Sequence, residues 1–132
     1  NKDPGFVDAD RIENIRRVAE VAKLMVDAGL IVIVALISPF QAERDLARNL
    51  FEDDEFYEIF IDTPIEVCEA RDAKGLYQKA RAGMLKNFTG VDSVYEKPCN
   101  ADLVLDGSGT SAEILADQII QSFFVLPLQR SI

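Results

Sequence analysis

Two polar residues near the start of the chain have the spacing of an anion-binding site. Arg11 and Asn14 are three residues apart, so a helix would place both on one face of its first turn. Asp10 and Glu13 have capping-box spacing at the same place. The first turn of a helix offers free N–H groups and the positive end of the helix dipole, which favour an anion. Ordinary polarity of a helix surface is the alternative, because this spacing alone is weak evidence.

A second candidate is Ser38, which follows eight apolar residues from Leu30 to Ile37. A short apolar run of this kind predicts a strand covered on both faces, as in a parallel sheet. Ser38, Pro39 and Gln41 then have the pattern of a helix start, as N-cap, first helical residue and capping-box partner. Because ligands bind at the carboxyl ends of strands in open α/β sheets, Ser38 is predicted to lie at that edge.

A basic segment interrupts a chain whose net charge is −9. It runs from Arg71 to Lys86 and contains five basic residues and one acidic residue. This local excess predicts an anion site, with a solvated basic helix face as the alternative. The negative net charge argues against a general nucleic-acid binder. The chain has no histidine, which excludes histidine triads, histidine bases and histidine metal sites.

The elements that must position these residues alternate between helix and strand. A helix with an inward face of Ile12, Ile15, Ala19, Ala22 and Val26 is predicted to end at Gly29. Strands are predicted at 30–37, 56–61 and 103–105, and helices at 41–51, 64–71 and 76–82. Capping boxes are predicted at residues 63–66 and 110–113, the second opening a final helix with residues 114, 115, 119 and 123 inward. This order predicts one three-layer α/β domain over residues 1–132, with a parallel sheet.

Residues 72–100 interrupt the alternation. They contain little continuous apolar pattern and are punctuated by Gly75, Gly83 and Gly90. A basic, glycine-rich insertion between two βα units is typical of a mobile lid. A disordered surface loop is the alternative.

Bulk composition predicts a single soluble domain. The chain has 132 residues, 48% of them hydrophobic, and no apolar run approaches the ~20 residues of a membrane span. Its first residues lack the pattern of a signal peptide. Two cysteines, Cys68 and Cys99, fit a reduced protein better than a disulfide scaffold, so a cytoplasmic location is expected.

Five segments, in one order, closely resemble the adenylyl-sulfate kinase (APS kinase) family. They are GF-x-x-x-DR-x-EN-x-RR at 5–17, ISPF at 37–40, RD-x-KGLY at 71–77, KARAG at 79–83 and NFTG-x-D-x-x-YE-x-P at 87–98. The similarity runs from residue 1 to about residue 105. The resemblance implies a P-loop kinase-like fold. It also implies transfer of the ATP γ-phosphoryl group, with Mg²⁺, to the 3′-hydroxyl of adenosine 5′-phosphosulfate (APS), which gives PAPS.

The resemblance also implies roles for single residues. Phe6 and Phe88 would sandwich the adenine of APS, and Arg11 would hold its phosphosulfate. Ser38 occupies the position that the family associates with a phosphoserine intermediate. Because phosphoryl transfer needs mainly positioning and charge stabilisation, we expect the catalytic role of Ser38 to be that of a positioned hydroxyl. The full implied substrate-binding set is Phe6, Arg11, Asn14, Ile37, Ser38, Lys74, Asn87 and Phe88.

Three further residues are candidates for contacts with ATP. Arg71 and Arg81 have the charge to clamp the transferring phosphoryl group, and Thr110 follows the last predicted strand, where the ATP base could lie. No residue of the chain is assigned to a metal. The GxxxxGK[ST] phosphate loop and the DGD strand end of the family do not occur in this sequence. ATP and Mg²⁺ are therefore expected to bind mainly through residues upstream of it.

The missing phosphate loop leaves two interpretations open. In this fold the strand before that loop lies between the predicted strands 30–37 and 56–61, so a gap in the sheet is expected. The chain is then either the C-terminal part of a longer kinase domain or a non-catalytic remnant that binds APS or dimerises. The resemblance also implies fusion to, or association with, sulfate adenylyltransferase, and a homodimer is a further expectation.

Overall fold

The computed structural model describes residues 8–124, and the implied site residue Phe6 lies outside that range. No helix among those residues is long and apolar enough to cross a membrane. The elements, in chain order, are α1 (Asp8–Asp27), α2 (Gln41–Arg48), β1 (Ile59–Asp62), α3 (Ile65–Arg71), α4 (Leu76–Arg81), β2 (Leu103–Asp106) and α5 (Ala112–Phe123).

The sheet in the described part of the chain has two parallel strands. Ile59 lies opposite Leu103, and Asp62 lies opposite Asp106, so both strands end at the same edge. Leu105 is 5% exposed and carries β2 into the core. The α/β class and the parallel pairing are confirmed, but this sheet is narrower than the predicted one.

Helix α1 carries three of the buried apolar residues in the described part of the chain. Ile15, Ala19 and Ala22 recur at intervals of three and four and are each less than 9% exposed, as an amphipathic helix requires. The helix packs against α2. The prediction was wrong for Ile12, which is 46% exposed.

The C-terminal end of α1 is closed as predicted. Gly29 has a φ of 85°, a left-handed conformation that glycine adopts without a Cβ clash. The Leu30 N–H donates to the Met25 carbonyl over 3.1 Å, and the Gly29 N–H donates to the Val26 carbonyl over 2.8 Å. These two bonds form a Schellman motif, which turns the chain out of the helix.

Residues 30–37 do not form the predicted buried strand. They are irregular, and Ile31 and Ile33 are 75% and 89% exposed. A strand needs a neighbour for its N–H and C=O groups, and among the described residues β1 pairs with β2 alone. The apolar pattern is that of a buried strand, but no partner strand lies on either side of it within residues 8–124.

The predicted helix start at Ser38 is also wrong. Helix α2 begins at Gln41, and its N-cap is Phe40, whose side chain makes no capping hydrogen bond. Ser38 has a φ of 39°, whereas an N-cap residue adopts the β region. Pro39 is less than 2% exposed, so the turn that precedes α2 is anchored in the core.

Two other predicted caps shift by one residue. Helix α3 has Pro64, not Thr63, as its N-cap. Helix α5 is capped by Ser111 in place of Thr110, because the Ser111 hydroxyl accepts from the Ile114 N–H over 3.4 Å. Ile114, predicted to face inward, is 53% exposed. Residues 115, 119 and 123 are half-buried.

Candidate functional site

The side chain of Arg11 joins the start of α1 to a turn far along the chain. Its Nη1 donates to the Thr89 hydroxyl over 3.0 Å and to the Ser93 hydroxyl over 3.3 Å. Its Nη2 donates to the Asn87 carbonyl. The structure therefore brings Arg11 and Asn87, two of the implied substrate-binding residues, into direct contact.

The neighbouring arginines of α1 are held elsewhere. Arg16 Nε and Arg17 Nε donate to the Glu13 carboxylate over 2.8 and 2.7 Å. The Arg16 hydrogen bond, and then the Arg17 hydrogen bond, lower the pKa of Glu13 to about 2. Of the arginines Arg11, Arg16 and Arg17, it is Arg11 that contacts the 87–93 segment. Asn14, one helical turn after Arg11, is half-buried.

Residues 87–93 form an ordered turn. The Asp92 carboxylate accepts from the backbone N–H groups of Asn87, over 2.8 Å, and Phe88. The Gly90 N–H donates to the Ser93 carbonyl over 2.8 Å. Asn87 has a φ of 56°, in the left-handed region that asparagine tolerates better than most residues. Thr89 and Ser93 form an isolated parallel bridge that closes the turn.

The ring of Phe88 is positioned by an aromatic neighbour. It meets Tyr77 of α4 edge to face, with ring centroids 5.1 Å apart. Burial raises the pKa of Tyr77, and the Cys68 thiol on α3 adds to that rise. Phe88 is half-buried, so part of its surface is available to a ligand. The segment predicted to be a lid is therefore packed at this point.

The base of that segment is held by a carboxylate. Asp72 accepts from the backbone N–H groups of Tyr77 and Gln78, each over 3.0 Å, and so caps α4. The hydrogen bond from Gln78, followed by that from Tyr77, lowers the pKa of Asp72. Lys74 lies in the exposed turn between Asp72 and α4.

Ser38 belongs to a different set of contacts. Its carbonyl accepts from Arg44 Nη1 over 2.5 Å. Arg44 is 6% exposed, and its Nε lies 3.0 Å from the Glu58 carboxylate. Ser38 itself is half-buried, whereas Ile37 is 66% exposed. Ser38 and Asn87 are the two non-glycine residues whose φ lies in the left-handed region in the described part of the chain.

The candidate ATP contacts have partners of their own. Arg71 Nη2 donates to the Ser108 carbonyl over 2.9 Å, which places it beside the loop that follows β2. Arg81 forms an ion pair with Glu69 of α3. Thr110 is half-buried in the loop before α5.

A cavity of about 230 Å³, lined mostly by residues of apolar type but also by Arg44 and Glu55, lies beside the unpaired run at residues 30–37. It is bounded by α1, by residues 32–38, by α2 and by residues 55–59, so it separates the run from the start of β1. The cavity occupies the position of the gap expected from the sequence.

The residues present do not fit a site for magnesium and ATP phosphates. Among residues 8–124 no group of three or more His, Cys, Asp or Glu side chains could hold a metal ion. The sequence has no glycine-rich loop with its lysine.

Several residues at the site were missed by sequence reasoning. Thr89 and Asp92 lie inside the NFTG-x-D-x-x-YE-x-P segment that carries the resemblance. The sequence pattern does not predict that Asp92 accepts from the Asn87 and Phe88 N–H groups or that Thr89 contacts Arg11. Arg44 and Glu96 were missed because their partners lie more than fifty residues away along the chain. The only sequence signal for Glu96 was the YE-x-P segment.

Comparison with known proteins agrees with this architecture. The family described as adenylylsulphate kinase matches residues 1–106. The adenylyl-sulfate kinase of Aeromonas salmonicida is 60% identical over 118 residues, which is 89% of this chain and 60% of that protein. The bifunctional enzyme NodQ of Azospirillum brasilense is 58% identical over 92% of this chain and 20% of its own length. The chain thus spans less than two thirds of the length of either relative.

A solved structure shares the fold closely. The Mycobacterium tuberculosis APS kinase CysC, in complex with AMPPNP and APS, superposes with a TM-score of 0.85 at 48% identity. The match covers 92% of this chain and 70% of that one. Since the family match spans most of the residues, this chain belongs to the adenylylsulphate kinase family.

Proposed function

We propose that this chain forms the APS-binding part of an adenylyl-sulfate kinase, which transfers the ATP γ-phosphoryl group to the 3′-hydroxyl of APS. The observation that carries the proposal is the contact of Arg11 with the 87–93 turn. It joins a cationic group at a helix start to a half-buried aromatic ring, Phe88. A nucleotide with an anionic group needs those two features side by side.

Each element of the site has a proposed task. Arg11 and Asn14 bind the phosphosulfate, and Asn87 and Phe88, with Phe6, enclose the adenine. Lys74, Ile37 and the Ser38 hydroxyl complete the contacts with APS. A guanidinium suits an anion of this kind because its planar fork donates two parallel hydrogen bonds.

The cavity beside residues 32–38 supports a longer parent domain. We propose that the cavity beside residues 32–38 receives the strand that precedes a phosphate loop, supplied by a segment before residue 1. Most of the lining residues are apolar in type, and Ile59 at the start of β1 is one of them. ATP and Mg²⁺ would then bind mainly through that segment, with Arg71, Arg81 and Thr110 as further contacts.

A second candidate is a non-catalytic protein that keeps the APS site. The observation that favours it is the lack of a GxxxxGK[ST] motif in these 132 residues. Such a protein would bind APS, or pair with a second copy, without transferring a phosphoryl group.

Titration calorimetry of the purified chain tests the proposal. We expect APS to bind and ATP with Mg²⁺ not to bind. When an upstream segment with the phosphate loop is restored, PAPS formation distinguishes the kinase from the remnant. A chain that does not bind APS contradicts both candidates.

Fusion to sulfate adenylyltransferase, homodimerisation and a cytoplasmic location complete the proposal. Two relatives are named bifunctional enzymes, NodQ and CysN/CysC, and this chain matches about a fifth of each. Cys68 and Cys99 are both free thiols, as expected in a reducing compartment.

A further inference from the structure

Helix α2 takes its cap from a residue 55 positions further along the chain. The Gln41 N–H, at the first helical position, donates to Glu96 Oε2 over 2.7 Å. The Glu96 N–H in turn donates to the Pro39 carbonyl over 2.7 Å. The carboxylate satisfies a donor that no local side chain reaches, and its charge suits the positive end of the helix.

The guanidinium of Arg44 completes this connection from one turn inside α2. Its Nη2 donates to the Glu96 carbonyl over 2.7 Å and to the Gln41 side chain over 2.9 Å. Its Nη1 donates to the Ser38 carbonyl, and its centre lies 5.9 Å from the Tyr95 ring. One buried side chain therefore touches the Ser38 turn and the Tyr95–Glu96 segment, at the return end of the 72–100 insertion.

The contacts of Arg44 and Glu96 stabilise an unusual backbone conformation of Ser38. A serine in the left-handed region is held there against its own preference, and such conformations persist only where the surroundings fix them. The Arg44 guanidinium holds the Ser38 carbonyl, and the bond from Glu96 holds the next carbonyl, that of Pro39. The backbone of the Ser38 turn is therefore held by Arg44 of α2 and by Glu96 of the insertion.

We infer that Arg44 and Glu96 form a clasp that positions Ser38 for APS and couples it to the insertion that carries Phe88. This inference rests on the proposed function. Arg44 and Glu96 are positioning residues, since they act through the Ser38 turn and not on the substrate. The YE-x-P segment, which contains Glu96, thus has a positioning role in addition to the roles of the substrate-binding residues.

The test combines amide exchange in the ligand-free chain with APS affinity. Glu96→Ala removes the carboxylate, and Glu96→Gln keeps an acceptor oxygen. Arg44→Lys keeps the charge beside Glu58 but cannot bond the Ser38 and Glu96 carbonyls together. Glu66→Ala, on the exposed surface of α3, is the matched control.

We expect Glu96→Ala and Arg44→Lys to speed exchange of the Gln41 amide. We also expect them to weaken APS binding about tenfold, the size of one lost hydrogen bond to a charged group. Glu96→Gln should restore most of both properties, and Glu66→Ala should change neither. If Arg44→Lys fails to fold, Glu96→Ala decides alone.

Two results would overturn the inference. Unchanged exchange at Gln41 would mean that the clasp does not hold the helix start. Faster exchange with unchanged APS affinity would mean that the clasp does not position Ser38. If the unaltered chain does not bind APS, the proposed function fails and the positioning role fails with it, while the exchange rates still report on the clasp.

Discussion

Arg11 and Thr89 lie 78 residues apart in the chain, yet the guanidinium of one donates to the hydroxyl of the other over 3.0 Å. The same guanidinium reaches the Asn87 carbonyl. Three acceptors from one turn converge on a single cation at the start of α1. The turn that presents Phe88 is thus positioned by the residue proposed to bind the phosphosulfate.

Replacing Arg11 tests both of these tasks. We expect Arg11→Ala to lower APS affinity by about 1.5–3 kcal/mol, the contribution of hydrogen bonds to a charged group. Arg11→Lys should recover only part of the loss, because an ammonium cannot reproduce the planar fork. Calorimetry gives the affinities, and amide exchange across residues 87–93 gives the order of the turn.

Arg16→Ala is the matched control for Arg11→Ala. Arg16 lies on the same helix but is paired with Glu13 and is exposed. Its removal should leave APS affinity within about twofold, because exposed ion pairs contribute little. Equal affinity in Arg11→Ala and the unaltered chain would exclude Arg11 from the site.

The sequence predicted the contacts that are local or that repeat a known motif. The buried positions Ile15, Ala19 and Ala22 of helix α1, its Gly29 end and the parallel direction of the strands all follow from short patterns. The cap of α2 could not be predicted in this way, because Ser38 has the right residue type for a local cap. The structure uses Glu96 instead, and no rule of spacing connects Glu96 to Gln41.

The apolar run at residues 30–37 shows a second limit of prediction from sequence. Eight apolar residues predict a buried strand, and the pattern is correct for a strand between two neighbours. Burial depends on those neighbours, however, and in the described residues Ile33 is 89% exposed. A sequence pattern encodes the environment in which a segment folds, and it cannot supply a partner that these residues do not contain.

Gly90 is predicted to be the least replaceable glycine of the insertion. Its φ is 84°, and a Cβ there would lie 2.7 Å from Ile65 Cδ1 on α3. We expect Gly90→Ala to lower the free energy of unfolding by the roughly 1–2 kcal/mol of a left-handed residue, with a small addition from Ile65, because Cδ1 ends a flexible side chain that can turn away. Chemical denaturation measures the difference.

Two other glycines allow the cost of the left-handed backbone to be measured apart from the cost of the contact with Ile65. Gly83 has a φ of 74° with open space around it, so Gly83→Ala should show the backbone term alone. Gly109 has neither constraint, and Gly109→Ala should be close to neutral. Ile65→Val, combined with Gly90→Ala, should relieve part of the clash. If Gly90→Ala and Gly83→Ala cost the same, the contact with Ile65 does not matter.

Glu13 should contribute a small, pH-dependent part of the stability, because its ion pairs with Arg16 and Arg17 are exposed. Its pKa falls from 4.5 to about 2 because Arg16 and Arg17 donate to the ionised carboxylate. A lowered pKa contributes stability above pH 4.5, and that contribution is lost as the pH falls toward about 2. The thermal midpoint of Glu13→Gln should therefore lie below that of the unaltered chain at pH 7, and the difference should shrink through this window. A difference that stays constant with pH would contradict the assignment.

Substitution of Ile33 should distinguish an exposed run from a covered one. In the 132-residue chain we expect Ile33→Ser to change the free energy of unfolding by less than about 0.5 kcal/mol, as for a surface position. Leu105→Ala, at a position only 5% exposed, should cost about 2–5 kcal/mol and serves as the buried reference.

In a longer chain whose additional strand fills the cavity beside residues 32–38, the same Ile33→Ser should cost about 1.5–3 kcal/mol, because the side chain is then removed from water. Denaturant titration of both chains measures the contrast. A large loss in the 132-residue chain would mean that the run is already packed there, and an equally small effect in both chains would exclude the proposed strand from the cavity.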